Sequence, residues 1–385
     1  MDKVIYLDNN ATTAIDNEVL EEMLPFLKDK YGNPSSMHRF GGMVKKHIDK
    51  AREQVADLIG ANPDEIYFTS CGTESDNMAI VGFIKSHNKD SHIITSVVEH
   101  PAIYNLCKNL KKEGIDVIEI GVEKNGLLKK EQLFETKINP DTILSFMWAN
   151  NETGVLFPVE ELALWAKEKG AVFHTDAVQA VGKVPIDMKN SLIDMLSLSG
   201  HKLHAPKGVG ALYIRRGTKI SPFIVGGHQE RGMRGGTENV ASIVGLGKAC
   251  ELAKKYMEYE NTFVKKLRDT LEDGILEKCK GARLNGDKFY RLPNTTNISF
   301  EYIEGESILL LLDEYGIAAS SGSACTSGSL EPSHVMMAME VPYTLAHSSI
   351  RFSLSRYNTE SDINMVLSVM PGIVDKLRSL SPYVK

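Results

Sequence analysis

Short apolar segments alternate with longer amphipathic segments through the first two-thirds of this chain. Brief runs rich in Ile, Val, Leu and Phe are typical of buried strands. We predict such strands at residues 65–69, 92–95, 116–120, 142–147 and 171–174. Apolar positions at helical spacing lie between them and predict helices, for example over residues 76–85 and 159–169. The alternation favours an α/β fold with a mostly parallel sheet covered by helices.

The pattern changes after about residue 250. A charged amphipathic stretch over residues 244–279 predicts one long helix, and strands are predicted near residues 296–300 and 350–353. These elements indicate a second, smaller α+β unit. A chain of 385 residues is also long for one hydrophobic core, which supports two domains.

The composition narrows the class of protein. Hydrophobic residues make up 42% and charged residues 24%, the balance of a soluble globular protein. The net charge of −6 argues against a nucleic-acid partner, which normally requires a basic surface. No apolar run is long enough for a membrane span, and the first residues do not resemble a signal peptide. We therefore expect a cytoplasmic protein without a membrane partner.

The cysteines favour a reducing compartment. Their number is odd, their spacing is wide and no C-x-x-C motif occurs, which argues against a disulfide framework or a zinc site. They are Cys71, Cys107, Cys250, Cys279 and Cys325. Cys325 lies in residues 320–333, a Ser- and Gly-rich stretch whose composition favours a flexible loop. The other four are interpreted as packing residues.

Three polar segments follow predicted strands, where ligands of such sheets bind. Residues 69–75 are rich in Ser and Thr and open a helix, so they form either a phosphate site or an ordinary helix cap. Asp176 could pair with a protonated ring nitrogen or cap the next helix. Lys202 follows Ser, Gly and His, and could serve Schiff-base chemistry or lie in a surface loop.

Two further segments have alternative interpretations. His174 with Asp176, and His201 with His204, could bind zinc or iron, although Lys202 would place a positive charge beside that metal. The Gly-rich residues 226–239 contain two arginines and could cradle an anion or form an ordinary loop, but they lack P-loop and dinucleotide spacing.

Taken in order, a phosphate cup, a carboxylate and a lysine at strand ends match the layout of a fold-type-I pyridoxal-phosphate enzyme. The chain resembles the cysteine desulfurases, most closely the nitrogen-fixation type, within the class-V aminotransferases. The resemblance runs from Tyr6 to the last helix. It is carried by YLDNNATT (6–13), GNPSS (32–36), VEHP (98–101), ANNETG (149–154), HTDAVQ (174–179), SGHK (199–202), GGTEN (235–239) and SSGSAC (320–325).

The resemblance implies a seven-stranded sheet and pyridoxal 5′-phosphate as cofactor. Domains are expected at residues 14–257 (large) and at residues 1–13 with 258–385 (small). The implied catalytic residues are Lys202 as the covalent cofactor link, His100 stacked on the ring, and Cys325 as the sulfur acceptor. Further cofactor contacts are implied for Gly72, Thr73, Asn151, Asp176, Gln179, Ser199 and His201. Thr237 would reach the cofactor of the partner in a homodimer.

Arg351 is expected to bind the substrate carboxylate, helped by Asn10, Asn33 or Asn151. The implied reaction converts L-cysteine to L-alanine and leaves a persulfide on Cys325, with His100 as the candidate that activates the thiol. Sulfur would pass to an iron–sulfur scaffold protein, for nitrogenase or for general cluster assembly. No metal is implied. Alternatives that remain are a selenocysteine lyase, an aminotransferase on the same scaffold and a non-catalytic sulfur-relay partner.

Overall fold

The structure is a computed structural model that describes residues 4–87, 91–321 and 331–382. Cys325 lies outside the described residues. The strands are β1 Ile5–Tyr6, β2 Ile66–Thr69, β3 His92–Ser96, β4 Asp116–Ile120, β5 Thr142–Met147, β6 Val172–Asp176, β7 Met195–Ser199, β8 Gly210–Ile214, β9 Ala282–Asn285, β10 Thr295–Phe300, β11 Ile317–Ala318 and β12 Ile350–Ser353. The helices are α1 Asn17–Lys28, α2 Arg39–Ile59, α3 Gly72–Ser86, α4 Pro101–Lys112, α5 Lys130–Phe134, α6 Val159–Glu168, α7 Val240–Tyr259, α8 Lys265–Lys278, α9 Gly305–Glu314, α10 His334–Ala338, α11 Tyr343–Ala346 and α12 Glu360–Leu380.

The main sheet has seven strands in the order β2-β8-β7-β6-β5-β3-β4. Strands β7, β6, β5, β3 and β4 run parallel, and β8 pairs antiparallel with both of its neighbours. The connection from β7 to β8 is too short to hold a crossover helix, and a short connection reverses the chain direction. The predicted mostly parallel α/β fold is confirmed.

Alternating side chains of the main sheet supply two separate apolar layers. Ile143 packs with residues of α3 and α4 on one face, whereas its neighbour Leu144 packs with α2, α6 and α7 on the other. Both faces are therefore covered by helices, which explains why the parallel strands read as continuous apolar runs. The carboxyl ends of these strands remain open for a ligand.

A second apolar cluster lies toward the C-terminal part of the chain. The antiparallel sheet β12-β10-β9 packs on α8, α9 and α12, and Leu7 from the N-terminal segment joins the same cluster. Strand β1 pairs in parallel with β11, which ties the first residues to this unit. The core of this unit thus combines residues from both ends of the sequence.

The predicted long helix differs from the observed one. Helical structure begins at Val240 with Asn239 as its cap, and residues Glu260–Val264 form a π-helical turn between α7 and α8. At this turn the Asn261 amide donates to the backbone oxygens of Lys183 and Met257. In the described part of the chain, no helix is both long enough and apolar enough to cross a membrane.

Candidate active site

A cavity of about 300 Å³ opens at the carboxyl edge of the main sheet. Its volume lies at the lower end of the range for small-molecule sites. The lining residues come from the N-terminal segment, the strand ends and β12. They are Asn10, Ala11, Cys71, Gly72, Thr73, Asp76, His100, Met147, Ala149, Asn151, Asp176, Val178, Gln179, Ser199, His201, Lys202 and Arg351.

Lys202 lies in a 3-10 turn, Gly200–Lys202, that directly follows β7. A Cβ on Gly200 would lie 2.9 Å from Val209 Cγ1, so the glycine lets this turn pack tightly against the start of β8. The Lys202 ammonium donates to the backbone oxygens of Asn10 and Ala11, the latter at 2.8 Å. The two carbonyls hold the amine inside the cavity.

Asp176 ends β6 at the same edge. Its Oδ1 accepts the Val178 backbone N–H at 2.9 Å, but a turn and not a helix follows β6, so the alternative of a helix cap is wrong. Burial raises the pKa of its carboxyl to about 6, while the charge of Lys202 acts in the opposite direction. At neutral pH the group is mainly a carboxylate, as required for pairing with a protonated ring nitrogen.

His100 begins α4 and lines the cavity. Burial, followed by the charge of Lys202, lowers the pKa of its ring to about 4. Nδ1 accepts the Ala102 backbone N–H at 3.1 Å, so the neutral ring carries its proton on Nε2. In this geometry Nε2–H is a hydrogen-bond donor. His100 could accept a proton from a thiol only after a change of tautomer.

The N-terminus of α3 faces the cavity with Gly72 and Thr73. The Cys71 side chain does not cap this helix, which leaves its first amides available for an anion. A Cβ on Gly72 would lie 2.7 Å from Val178 Cγ2, so the glycine allows close packing here. His201 is neutral at neutral pH, because burial and Lys202 lower its pKa to about 4.

Arg351 reaches the opposite end of the cavity from β12. Its Nη1 donates to the Asn151 backbone oxygen at 2.9 Å, and its Nη2 pairs with Asp8 Oδ1 at 2.7 Å. The Asn10 amide is engaged internally, since it donates to Thr295 Oγ1 at 2.9 Å and to Asn151 O at 3.2 Å. Of this group, Arg351 is therefore the side chain best suited to bind a carboxylate.

Pyridoxal phosphate, the cofactor implied by the resemblance, fits this donor set. Ser199 Oγ and Gln179 Oε1 are buried in the cavity wall without hydrogen-bond partners among the described residues. Buried polar atoms are normally satisfied, so two unsatisfied atoms beside a helix N-terminus point to a polar ligand. The lysine, the carboxylate and the anion site provide the partners for an aldehyde, a ring nitrogen and a phosphate.

Two predicted site residues of the described part of the chain, Thr237 and Asn33, do not line this cavity. Thr237 lies in a second cavity with Ser70, Arg234 and Asn239. Asn33 is exposed, and its side chain accepts the Ser35 backbone N–H, so it does not help to form the cavity in its own chain. Cys325 lies outside the described residues.

The sequence interpretation missed one polar residue of the cavity wall. Asp76 is 1% exposed and lies on α3, one turn after Thr73. Residues three apart share a helix face, and that spacing is the signal that could have identified it.

The histidines of the alternative metal hypothesis are engaged in hydrogen bonds. His174 Nδ1 lies 2.9 Å from Ser145 Oγ, and its Nε2 lies 2.9 Å from Ser197 Oγ. His204 Nδ1 lies 3.0 Å from the Ala14 backbone oxygen. The His174 contacts join β6 to β5 and β7, and the His204 contact joins that residue to the N-terminal segment.

Comparisons with known proteins agree with this geometry. The family model described as aminotransferase class-V matches residues 5–366. Cysteine desulfurase NifS of Azotobacter vinelandii is 60% identical over 98% of this chain and 94% of its own length. The structure of a NifS-like protein superposes with a TM-score of 0.91 at 40% identity, covering 97% of this chain and all of that one.

A further solved structure, titled SspA in complex with cysteine, has a TM-score of 0.81 at 36% identity, covering 92% of this chain and 99% of that one. Both the sequence match and the structural match extend over nearly the whole chain. The chain therefore belongs to the class-V aminotransferase family of pyridoxal-phosphate-dependent enzymes, together with the cysteine desulfurases that it resembles.

Proposed function

We propose that this protein is a cysteine desulfurase that converts L-cysteine to L-alanine and takes the sulfur onto Cys325 as a persulfide. The observation that carries the proposal is that Lys202, Asp176 and Arg351 line one cavity. An amine, a buried carboxylate and a guanidinium there supply contacts for a cofactor and for an amino acid substrate.

The bound cofactor supplies an electrophilic carbon and an electron-accepting ring. Asp176 holds the counter-charge for the ring nitrogen, and its carboxylate is fixed by the Val178 N–H. Lys202 Nζ, which the Asn10 and Ala11 carbonyls hold inside the cavity, would accept the proton of the substrate Cα. Gly72, Thr73, Ser199 and His201 would hold the phosphate, and Gln179 and Asn151, which line the same cavity, would contact the ring.

Arg351 binds the substrate carboxylate. Its guanidinium is oriented by Asn151 and Asp8, and its Nε has no partner among the described residues. The solved relative titled as a complex with cysteine supports L-cysteine as substrate.

Sulfur transfer requires Cys325 near this end of the cavity. Ser320 and Arg351 form a backbone bridge, with Arg351 N donating to Ser320 O at 2.6 Å. Cys325 is five positions after Ser320 in the sequence, so its Cα is tethered within roughly 18 Å of that bridge. On the other side, the Ser333 hydroxyl donates to Glu152 Oε2 at 2.6 Å, and His334 Nε2 lies 3.0 Å from Glu99 O.

The transfer balances without an external oxidant. The Cys325 thiolate attacks the substrate sulfur, the S–S bond forms, and the Cβ–S electron pair stays with the carbon fragment. That fragment takes up protons and leaves as alanine. His100 Nε2–H is positioned to donate a hydrogen bond to a group that gains negative charge in this step, because its Nδ1 is already an acceptor.

Several exposed apolar side chains favour a homodimer. They lie at the end of α1, in the following loop and at the start of α2: Leu27, Tyr31, Met37, Phe40 and Met43. Exposed apolar groups concentrated in this way are typical of protein interfaces. The cavity that contains Thr237 is then a candidate contact with the cofactor site of the partner.

The two-domain division at residues 14–257 and 1–13 with 258–385 remains a proposal. The separate apolar cluster that joins Leu7 to residues of α8, β10, β12 and α12 supports it. The cluster under the main sheet, however, also includes Leu292, Val335 and Met336, so the two units share a packed boundary.

We further propose a cytoplasmic location and an iron–sulfur scaffold protein as sulfur acceptor. Among the described residues, Cys71, Cys107, Cys250 and Cys279 are free thiols, which suits a reducing compartment. The similarity to a desulfurase named NifS supports a role in nitrogenase maturation.

The proposal is tested by incubating the cofactor-loaded protein with L-cysteine and a reductant. Equal amounts of alanine and sulfide are expected without any keto acid. Alanine formation that depends on a keto acid would identify an aminotransferase instead. Turnover of selenocysteine alone would identify a selenocysteine lyase.

A further inference from the structure

Three interacting carboxyl groups lie at the candidate cofactor site, and two of them, Asp76 and Asp176, line its cavity. Asp76 comes from α3, Glu99 from the turn before α4 and Asp176 from the end of β6. Asp76 is 1% exposed and Glu99 is fully buried. Asp176 interacts electrostatically with both of the others. Three negative charges this close would repel one another strongly, and this repulsion favours protonation of one or more of the three carboxyl groups.

Glu99 has the contacts of a neutral acid. Its Oε1 accepts the Ser96 hydroxyl at 2.5 Å and the Met147 backbone N–H at 3.1 Å. Its Oε2 has no hydrogen-bond partner, and no ion pair joins Glu99 to a lysine or arginine of the described residues. A carboxylate with one bare buried oxygen and no cation is costly, whereas a protonated oxygen is tolerated.

Asp76 is in a similar environment. Its Oδ1 is buried without a hydrogen-bond partner and lies 3.7 Å from His174 Nε2. That histidine cannot supply a counter-charge, because burial lowers the pKa of its ring to about 3. Asp76 thus has no cation to stabilise an ionised form.

Asp176 differs from both. It accepts a backbone N–H and feels the positive charge of Lys202. We propose that Asp76 and Glu99 are positioning residues that retain their protons, so that of the three carboxyls Asp176 alone carries the negative charge that faces the cofactor ring. This inference rests on the proposed pyridoxal-phosphate chemistry, and it states which of the three carboxyl groups carry a proton.

The pKa directions agree with this arrangement. Burial raises the pKa of Asp76 well above its usual range, and burial raises that of Glu99 to about 8. Each is raised further by Asp176. The other titratable groups that act on the three carboxyls are Cys71 before α3, Cys107 on α4, His174 on β6 and Lys202 after β7.

The arrangement also places His100. Glu99 Oε1 joins Ser96, at the end of β3, to Met147, at the end of β5. His100 follows directly in the chain, so the neutral acid fixes the turn that presents the ring to the cavity. A charged Glu99 would add a second negative charge that interacts with Asp176.

The test uses infrared difference spectroscopy of the cofactor-loaded protein, which detects the C=O stretch of protonated carboxylic acids. At neutral pH, one such band should disappear in Asp76→Asn and another in Glu99→Gln. Asp194→Asn, a buried carboxyl bonded to Phe173 N and away from the cavity, is the matched control and should remove neither. Asp76→Thr offers a second uncharged side chain if the asparagine variant does not fold.

Two pH titrations complete the test. Asp76→Asn and Glu99→Gln should move the pH titration of the cofactor's visible absorption by less than about half a unit, because no charge is lost. In Asp176→Asn apoprotein, the Glu99 band should disappear at a lower pH than in wild-type apoprotein, because a repelling charge is gone. A role confined to packing would not produce that second shift.

Either of two results would overturn the proposal. The first is a wild-type spectrum that lacks the two bands of protonated carboxyls. The second is a shift of about 1–3 pH units in the cofactor titration of Asp76→Asn or Glu99→Gln. These outcomes differ from failure of the desulfurase proposal. That failure appears as missing alanine and sulfide, whatever the infrared spectrum shows.

Discussion

At the scale of single residues, the guanidinium of Arg351 is shared between Asp8 and the backbone oxygen of Asn151. A lysine at this position keeps the charge but loses the planar fork that binds carboxylates in two places. Losing one charge-assisted hydrogen bond, about 1.5–3 kcal/mol, corresponds to about 10- to 100-fold in affinity. Arg351→Lys should therefore raise KM for L-cysteine by that factor, with a smaller change in kcat, in steady-state kinetics.

Arg356→Lys is the matched control. Arg356 is also a buried arginine paired with an aspartate, since its Nη2 lies 2.9 Å from Asp16 Oδ2, but it does not line the cavity. Its KM should stay within about twofold of wild type, because no substrate contact is lost. Equal KM increases in both variants would show that general loss of packing, not carboxylate binding, explains the effect.

Glu99 gives a pH-dependent prediction. Its pKa is raised to about 8 by burial, so the folded protein holds a proton that the unfolded chain releases. Stability from this group is full at low pH and falls as pH rises toward 8, by up to about 1.4 kcal/mol per pH unit. Glu99→Gln should flatten this fall in denaturant unfolding of the apoprotein between about pH 6.5 and 8.

An exposed glutamate, Glu21, provides the control substitution. Glu21→Gln should keep the wild-type fall in stability. The interpretation of Glu99 would be wrong if its variant and the wild type lost stability equally over this range.

Several residue-level features could be predicted from the sequence, and others could not. The strand-end positions of Asp176 and Lys202 follow from the apolar pattern, because polar residues there must face the open edge. The proposed neutral state of Asp76 depends on burial and on an Oδ1 without a hydrogen-bond partner, which arise only when α3 packs against β6. The tautomer of His100 likewise depends on its bond to the Ala102 N–H.

At the scale of elements, Gly182 packs tightly against Leu203, the residue that follows the Lys202 turn. Gly182 has a φ of +76°, and a Cβ there would lie 2.7 Å from Leu203 Cδ2 and 3.0 Å from Ala253 Cβ. Gly182→Ala therefore combines backbone strain with overpacking and should destabilise the protein by about 2–4 kcal/mol. Denaturant unfolding measures the change.

Gly208→Ala isolates the backbone contribution. Its φ is +81°, but nothing lies within 4 Å of an added Cβ, so its cost should be about 1–2 kcal/mol. Equal destabilisation of the two variants would mean that packing against Leu203 and Ala253 does not matter.

The elements predicted best were those with the strongest pattern. Strand β5 has the predicted bounds because all six of its residues are buried and apolar or small. Strand β8 was not named, because it follows β7 without a helix and breaks the strand–helix alternation. The π-helical turn at Glu260–Val264 depends on contacts with Lys183, which helical periodicity does not encode.

At the scale of the whole molecule, the exposed apolar residues at the start of α2 give a test of the proposed dimer. Met37 is fully exposed and Phe40 contacts Tyr31 in an edge-on arrangement at 5.1 Å. Met37→Asp should weaken association by about tenfold or more, because a charge would be buried at the interface. Sedimentation of wild type and variant over a range of concentrations measures it.

Phe289→Asp is the control for that experiment. Phe289 is 84% exposed but lies near β9, far along the chain from α2. It should leave association unchanged. A wild type that sediments as a monomer at all concentrations would contradict the dimer, and with it the proposed role of Thr237 toward a partner.

The central claim is that sulfur passes from cysteine to Cys325. The most direct measurement is mass spectrometry of the cofactor-loaded protein after a single turnover with L-cysteine and no reductant. The peptide containing Cys325 should gain the mass of one sulfur atom, one alanine should appear per modified site, and Cys325→Ala should yield neither. Alanine release by that variant, or sulfur on Cys71 in its place, would contradict the account.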